Sequence, residues 1–162
     1  MKVSKLTRLG LLVSLALILS FIEHQIPPLT AIPGIKLGLP NAAIVFVLYA
    51  VGEWEAVAVS LVRILLVSML FGSLMSLWYS AAGAVLSLLI MILLKRSGKF
   101  SPITVSTVGG VCHNIGQIAA ACFVTRTAEL VYYLPVLLFS GTVAGVLIGL
   151  LSGIILKRLE KL

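Results

Sequence analysis

Aspartate is missing from this chain of 162 residues, and only 10% of the residues are charged. Soluble domains carry about 25% charged residues, so this chain has too few charges to cover a surface that faces water. Hydrophobic residues make up 60% of the sequence, and the mean hydropathy is +1.20. These values predict an integral membrane protein.

The scarcity of acidic and metal-binding residues also argues against catalysis. All five acidic residues are glutamates, scattered along the sequence, so no carboxylate cluster is predicted for a magnesium ion or a diphosphate. Two histidines and two cysteines give no metal-ligand spacing. No glycine-rich phosphate loop followed by lysine and a hydroxyl residue is present. We therefore expect no enzymatic activity, no cofactor and no bound metal.

Six apolar stretches predict an all-α bundle of six transmembrane helices that forms a single domain over residues 1–162. About 20 apolar residues are needed to cross a bilayer. The stretches cover residues 6–26, 38–51, 53–72, 74–94, 103–124 and 131–156. The second stretch is short for a complete crossing, so a tilted helix and a re-entrant segment both stay open. A loop rich in proline is expected between the first two stretches.

Basic residues predict the orientation of these helices. The net charge is +7, and most of the twelve basic residues form three short groups. The groups are Lys2, Lys5 and Arg8; Lys95, Arg96 and Lys99; and Lys157, Arg158 and Lys161. Short basic segments remain on the cytoplasmic side, so both termini are expected there, with the protein in the cytoplasmic membrane. Because the groups share no single helix face, nucleic acid is not an expected partner.

Small residues at intervals of four predict where helices pack. An interval of four keeps residues on one helix face, and missing side chains let backbones approach closely within a membrane. The sixth stretch carries Gly141, Gly145, Gly149 and Gly153. The interval recurs at Ala16 and Ser20, and at Ser76, Ser80 and Ala84. The partner of each face, another helix of this chain or another subunit, stays open.

A charged residue inside the third stretch predicts either an internal ion pair or a ligand contact. Arg63 lies near the middle of that stretch, where a charge costs about 2.5–3.5 kcal/mol on insertion scales. Its guanidinium therefore requires a carboxylate, carbonyl groups, water or a bound anion. Glu23, at the outer part of the first stretch, is a possible partner, and pairing with it does not exclude contact with a ligand.

Polar residues on the fifth stretch favour a cavity. His113 and Gln117 are four residues apart and share a helix face, with Asn114 beside them. Hydrogen bonds between helices would satisfy these groups, but three of them at mid-depth favour a lined cavity.

The predicted helix directions bring further polar residues to the outer half of the same region. These residues are Lys36, Asn41 and Glu23. Together with Arg63, they suit a small polar or anionic solute.

Several segments resemble one known family over nearly the whole chain. They include Ile35-Lys36-Leu37-Gly38-Leu39-Pro40-Asn41, Arg63, Tyr79-Ser80, His113-Asn114-Ile115-Gly116-Gln117 and Tyr133-Leu134-Pro135. These segments resemble the Gx transporter family, which is also labelled heptaprenyl diphosphate synthase component I. That family is similar to the S components of energy-coupling factor transporters, which are six-helix membrane proteins.

This resemblance implies a protein that captures a micronutrient from outside and docks on a transmembrane coupling subunit and two ATPases. Docking in S components uses an Ala-x-x-x-Ala pattern on the first helix, which Ala16 to Ser20 approximates. The synthase label implies an alternative, an accessory membrane subunit that presents a polyprenyl or quinone-like lipid through a lateral opening. A purely structural membrane subunit, in which the polar groups satisfy one another, is the third possibility.

Overall fold

A computed structural model describes residues 3–26 and 37–159, and these residues are almost entirely helical. The helices are α1 (Val3–Gln25), α2 (Leu39–Ala50), α3 (Glu53–Leu70), α4 (Leu74–Arg96), α5 (Pro102–Thr125) and α6 (Leu134–Leu159). A 3₁₀ helix, Ala128–Tyr133, precedes α6. The predicted all-α class is confirmed, and each helix begins and ends within three residues of its predicted stretch.

Local sequence explains where two of the long helices begin. At α4, the Ser76 amide donates to the Ser73 hydroxyl over 3.2 Å, and the Ser73 amide donates to the Ser76 hydroxyl over 2.9 Å. At α5, the Ser101 hydroxyl accepts from the Thr104 amide, and Pro102 occupies the first turn. Such caps satisfy amides that have no partner within the helix.

Four helices are long and apolar enough to cross a membrane. They are α1, α4, α5 and α6, the last together with the 3₁₀ helix before it. Helix α2 is apolar but has 12 residues, a length of about 18 Å against a hydrocarbon thickness of about 30 Å. Helix α3 carries three charged residues, Glu53, Glu55 and Arg63. The four long helices are those of a multi-pass membrane protein.

The short helix α2 lies at the centre of the bundle. It contacts α1, α3, α5 and α6, and seven of its twelve residues are buried. Its apolar residues pack with small and branched residues of the neighbouring helices, including Ala16, Val59 and Val105. The hydrophobic core is therefore built around the helix that is too short to cross the hydrocarbon layer by itself.

Charged side chains from other helices satisfy both ends of α2. The Glu23 carboxylate accepts hydrogen bonds from the backbone amides of Gly38 and Leu39, at the N-terminal end. At the C-terminal end, Lys95 Nζ donates to the Leu48 carbonyl over 2.6 Å. A negative charge at the N-terminal end and a positive charge at the C-terminal end both interact favourably with the helix dipole. The two side chains also supply hydrogen bonds that lipid cannot supply.

The two ends of the bundle are named here by their glutamates. At the Glu23 end, α1 and α3 finish and α2 and α4 begin. At the opposite Glu53 end, α3 begins, and two ion pairs of 2.6 Å, Lys5 to Glu55 and Arg96 to Glu53, join it to α1 and α4. The described basic residues of α1 and α4 therefore gather at the Glu53 end.

Glycines bring α5 and α6 into backbone contact. A Cβ added at Gly145 would lie 2.6 Å from Thr107 Cα, and one added at Gly149 would lie 2.6 Å from Ile103 Cα. A Cβ at Gly141 would lie 2.9 Å from the Gly110 carbonyl oxygen. We define the glycine seam as this contact of Gly141, Gly145 and Gly149 with α5. Gly153 lies outside the seam, since an added Cβ there would meet no described atom within 4 Å.

Candidate functional site

A cavity of about 420 Å³ lies between the helices, and all six α-helices contribute to its wall. Its volume falls within the range of about 300–1,000 Å³ that is typical of small-molecule sites. The wall combines polar side chains with apolar ones such as Ile44, Ile64 and Leu88. This combination suits a compact molecule that has both polar and apolar parts.

The structure brings six of the seven residues predicted for the binding site to this cavity. They are Glu23 of α1, Asn41 of α2, Arg63 of α3, and His113, Asn114 and Gln117 of α5. The seventh, Lys36, lies outside the described residues. Residues from four helices therefore meet at one chamber, although they are far apart in the sequence.

Arg63 has an unsatisfied donor at the cavity wall. Its Nε is buried and makes no hydrogen bond in the described part of the chain. Arg63 and Glu23 do not form an ion pair, since the two ion pairs among the described residues join other side chains, but the Glu23 charge still attracts the guanidinium through space. Glu23 instead holds the amides of Gly38 and Leu39. An acceptor that enters the cavity would complete the hydrogen bonding of Arg63, since buried donors are normally paired.

The polar group on α5 has one member with a clear structural role. Asn114 Nδ2 donates to the Leu137 carbonyl of α6, so this side chain links the two helices while it lines the cavity. His113 and Gln117 face α4, where Gly83 leaves room for them. A Cβ added at Gly83 would lie 2.9 Å from Gln117 Cγ. Helix α5 is therefore in close contact with α6 through Asn114 and with α4 through Gln117.

Nine serines line the cavity, and none of them was predicted as a solute-binding residue. They are Ser20, Ser60, Ser68, Ser73, Ser76, Ser80, Ser87, Ser106 and Ser140. Ser76, Ser80 and Ala84, which were expected to pack against a helix of this chain or another subunit, also line the cavity. The interval of four placed them on one face but did not determine what that face meets. Serine recurring on the inward face of an apolar helix was the available signal.

Access to the cavity is at the Glu23 end. Among the lining residues, those that are exposed are His24, Gly72 and Ser73, and all three lie at this end. The residues furthest from it are buried. The described residues therefore form a pocket that is closed at depth and open at one end of the bundle.

The cavity is deeper than the expected site in the outer half of the bundle. On α5 it reaches Ser106, seven residues or about 10 Å before His113. On α4 it reaches Met91, eight residues or about 12 Å beyond Gly83. We define the deep arm as the part of the cavity lined by Ser60, Ser87, Leu88, Met91, Ser106 and Gly109.

Ala16 and Ser20 face the interior of the chain. Ala16 is 0% exposed and belongs to the hydrophobic core, while Ser20 lines the cavity and donates to the Ala16 carbonyl over 2.7 Å. This face of α1 is therefore covered by the chain's own helices. It leaves no exposed small-residue surface at these two positions for docking another subunit.

Fold and site together define a class of protein, an all-helical, multi-pass membrane protein with a polar cavity among its helices. A family model described as heptaprenyl diphosphate synthase component I matches residues 12–155, which is most of the chain. The chain belongs to this family. No curated protein and no solved structure was found to match it.

Proposed function

We propose that this protein is the solute-binding component of a membrane transporter. It captures a small polar or anionic solute at the Glu23 end and relies on separate subunits for energy. The main observation behind this proposal is the cavity of about 420 Å³, which is closed at depth and in which the buried Nε of Arg63 lacks an acceptor.

Each polar residue has a role that follows from its chemistry. Arg63 binds the anionic group of the solute, since a guanidinium presents several donors in a fixed plane. His113, Asn114 and Gln117 supply directional hydrogen bonds. Glu23 holds the start of α2 in place, and Lys36 contributes a second cation.

The membrane orientation proposed here follows from charge. All six α-helices cross or enter the cytoplasmic membrane, with the Glu53 end and both termini in the cytoplasm. Lys5 and Arg96 lie at the Glu53 end, in agreement with the preference of basic residues for the cytoplasmic side. The Glu23 end and its opening then face outward.

The sequence contains no phosphate loop for ATP, so this chain is not expected to use ATP by that route. We propose a transmembrane coupling subunit with ATPases and no catalytic role for this chain. Docking of such a subunit requires a surface other than the Ala16 face, which is buried.

The family description favours a second function, an accessory subunit that presents a polyprenyl or quinone-like lipid to a synthase. Two features of the cavity weigh against it. A lipid that enters from the bilayer needs a lateral opening, whereas the exposed lining residues lie at one end of the bundle. A hydrocarbon tail would also bury the serine hydroxyls of the deep arm without partners, at a cost of about 1–3 kcal/mol for each group.

Native mass spectrometry of the gently purified protein tests these alternatives. A retained water-soluble molecule is the expected result, and a retained polyprenyl species would favour the lipid-presenting subunit. Arg63→Gln and His113→Ala should each abolish retention and leave thermal unfolding nearly unchanged. Arg126→Gln provides the matched control, because Arg126 is exposed and outside the cavity wall. Normal retention by both cavity variants would overturn the assigned site.

A further inference from the structure

The deep arm is lined by three buried serines whose hydroxyls have no protein partner. Ser60, Ser87 and Ser106 are 2%, 7% and 3% exposed, and all three line the cavity. Their hydroxyls take part in none of the hydrogen bonds formed by the described residues. Most serines within apolar helices donate to a carbonyl of the preceding turn, as Ser20 does here. The three hydroxyls of the deep arm are not among the fully buried polar atoms without a partner, so they are open to the cavity and available to a molecule that fills it.

Charge is absent from the same part of the wall. None of the described residues that line the deep arm has an ionisable side chain. The charged lining residues, Arg63 and Glu23, lie closer to the opening. The residues of the deep arm are therefore polar or apolar but uncharged, and Arg63 lies one helical turn beyond Ser60 towards the opening.

We propose that the deep arm is a subsite for the uncharged, hydrogen-bonding end of the solute. This inference rests on the proposed solute-binding function and specifies the class of solute. The anionic group stays beside Arg63, while a hydroxyl-bearing or heterocyclic end enters the arm. Each serine hydroxyl both donates and accepts, so either kind of heteroatom is satisfied there.

The walls of the arm also limit the shape of that end. Gly109 lies against Ser87 and Met91, since a Cβ added at Gly109 would be 2.5 Å from Met91 Sδ and 3.3 Å from Ser87 Oγ. Leu88 provides an apolar wall. The arm extends about 10–12 Å beyond the level of His113. A flat or narrow group held between apolar and hydroxyl surfaces fits this space better than a branched one.

Cysteine labelling tests the subsite without knowledge of the solute. The variants are Ser87→Cys in the deep arm and Ser68→Cys in the upper cavity, each in a background that carries Cys112→Ser and Cys122→Ser. Serine and cysteine are close in size, so both variants should fold. The probes are two methanethiosulfonates of similar size, a neutral 2-hydroxyethyl reagent and a negatively charged 2-sulfonatoethyl reagent. Labelling is measured by intact mass spectrometry at several times.

We expect the neutral reagent to label both variants. The charged reagent should label Ser68→Cys at a comparable rate but Ser87→Cys at least 10-fold more slowly. Equal rates of charged labelling at the two positions would overturn the assignment of an uncharged group to the arm. A Ser87→Cys protein that neither reagent labels, while Ser68→Cys reacts, would show that the arm does not admit a solute.

Retention of a solute in native mass spectrometry is a separate measurement from this labelling. A protein that retains no solute yet shows the expected labelling would count against the transport component and not against the properties of the arm. Loss of the labelling difference, with solute retained, would count against the subsite alone.

Discussion

The glycine seam and the serine face of α4 show what one sequence pattern can become. Both have small residues at intervals of three or four on an inward helix face. In the seam, Gly141 and Gly145 let α6 touch the backbone of α5. On α4, Ser76, Ser80, Ala84 and Ser87 line the cavity.

The difference comes from the atoms beyond Cα. Glycine adds none, so two backbones approach closely and gain dispersion contacts where lipid offers no hydrophobic drive. Serine adds a Cβ and a hydroxyl, which bring a polar group that has to be satisfied. One region therefore packs two helices together and the other lines the cavity where we propose that the solute binds, and substitutions that add volume should separate them.

The largest expected effect is at the seam. Gly145→Val should lower the free energy of unfolding by about 3 kcal/mol, because the new side chain overlaps the Thr107 backbone, which cannot move away by itself. Thermal unfolding in detergent measures this loss. Gly153→Val is the matched control on the same helix, since its Cβ meets nothing within 4 Å. Equal losses at the two positions would contradict the seam.

A smaller loss is expected where the cavity wall supports α2. Glu23→Ala should cost about 1–2 kcal/mol, as the removal of a helix cap does, because the Gly38 and Leu39 amides lose their acceptor. Glu23→Gln keeps an oxygen that can accept and should lose less. If both variants unfold at the same temperature, the charge of Glu23 is more important than its capping role.

Asn114 lies beside Gly141 at the glycine seam and also lines the cavity, and its substitution should have a still smaller effect on stability. Asn114→Ala removes one hydrogen bond between α5 and α6, which is worth about 0.6 kcal/mol on average in membrane proteins. Gln117→Ala is the control, since this amide lines the cavity and has no hydrogen bond to a described residue. A larger loss of stability for Gln117→Ala than for Asn114→Ala would contradict this division of roles.

The smallest effect on stability is expected within the cavity itself. Ser80→Leu adds volume to an open space, so the free energy of unfolding should change by about 0.5 kcal/mol or less. The same variant should lose the solute in native mass spectrometry. Marked unfolding of Ser80→Leu would mean that this face of α4 is packed as tightly as the seam.

The helices were predictable from the sequence because their signals are local. Proline, glycine and serine residues bound the apolar runs. Ser73 and Ser101, for example, precede the runs of α4 and α5 and cap the starts of these helices in the structure. The central position of α2 was not predictable from its sequence. It depends on Glu23 and Lys95, which reach its two ends from other helices.

The site was predictable in part. Arg63 and the His113 face are conspicuous in apolar stretches, since polar groups there require partners. The partner of Arg63 was open in the sequence, and in the structure its Nε has no acceptor while Oε1 of Glu23 accepts from two amides at the start of α2. The serines of the cavity were missed because serine is common in membrane helices both at packing contacts and at cavities.

By itself, the sequence determined that the chain is a helical membrane protein, where its helices lie and which polar residues need partners within the bundle. These properties follow from composition and from intervals of a few residues, which the chain expresses locally. The tertiary structure alone decided that the glycines of α6 meet α5 and that the serines of α4 line the cavity. Both outcomes depend on the distance between helix axes, which is set by the packing of all the helices together.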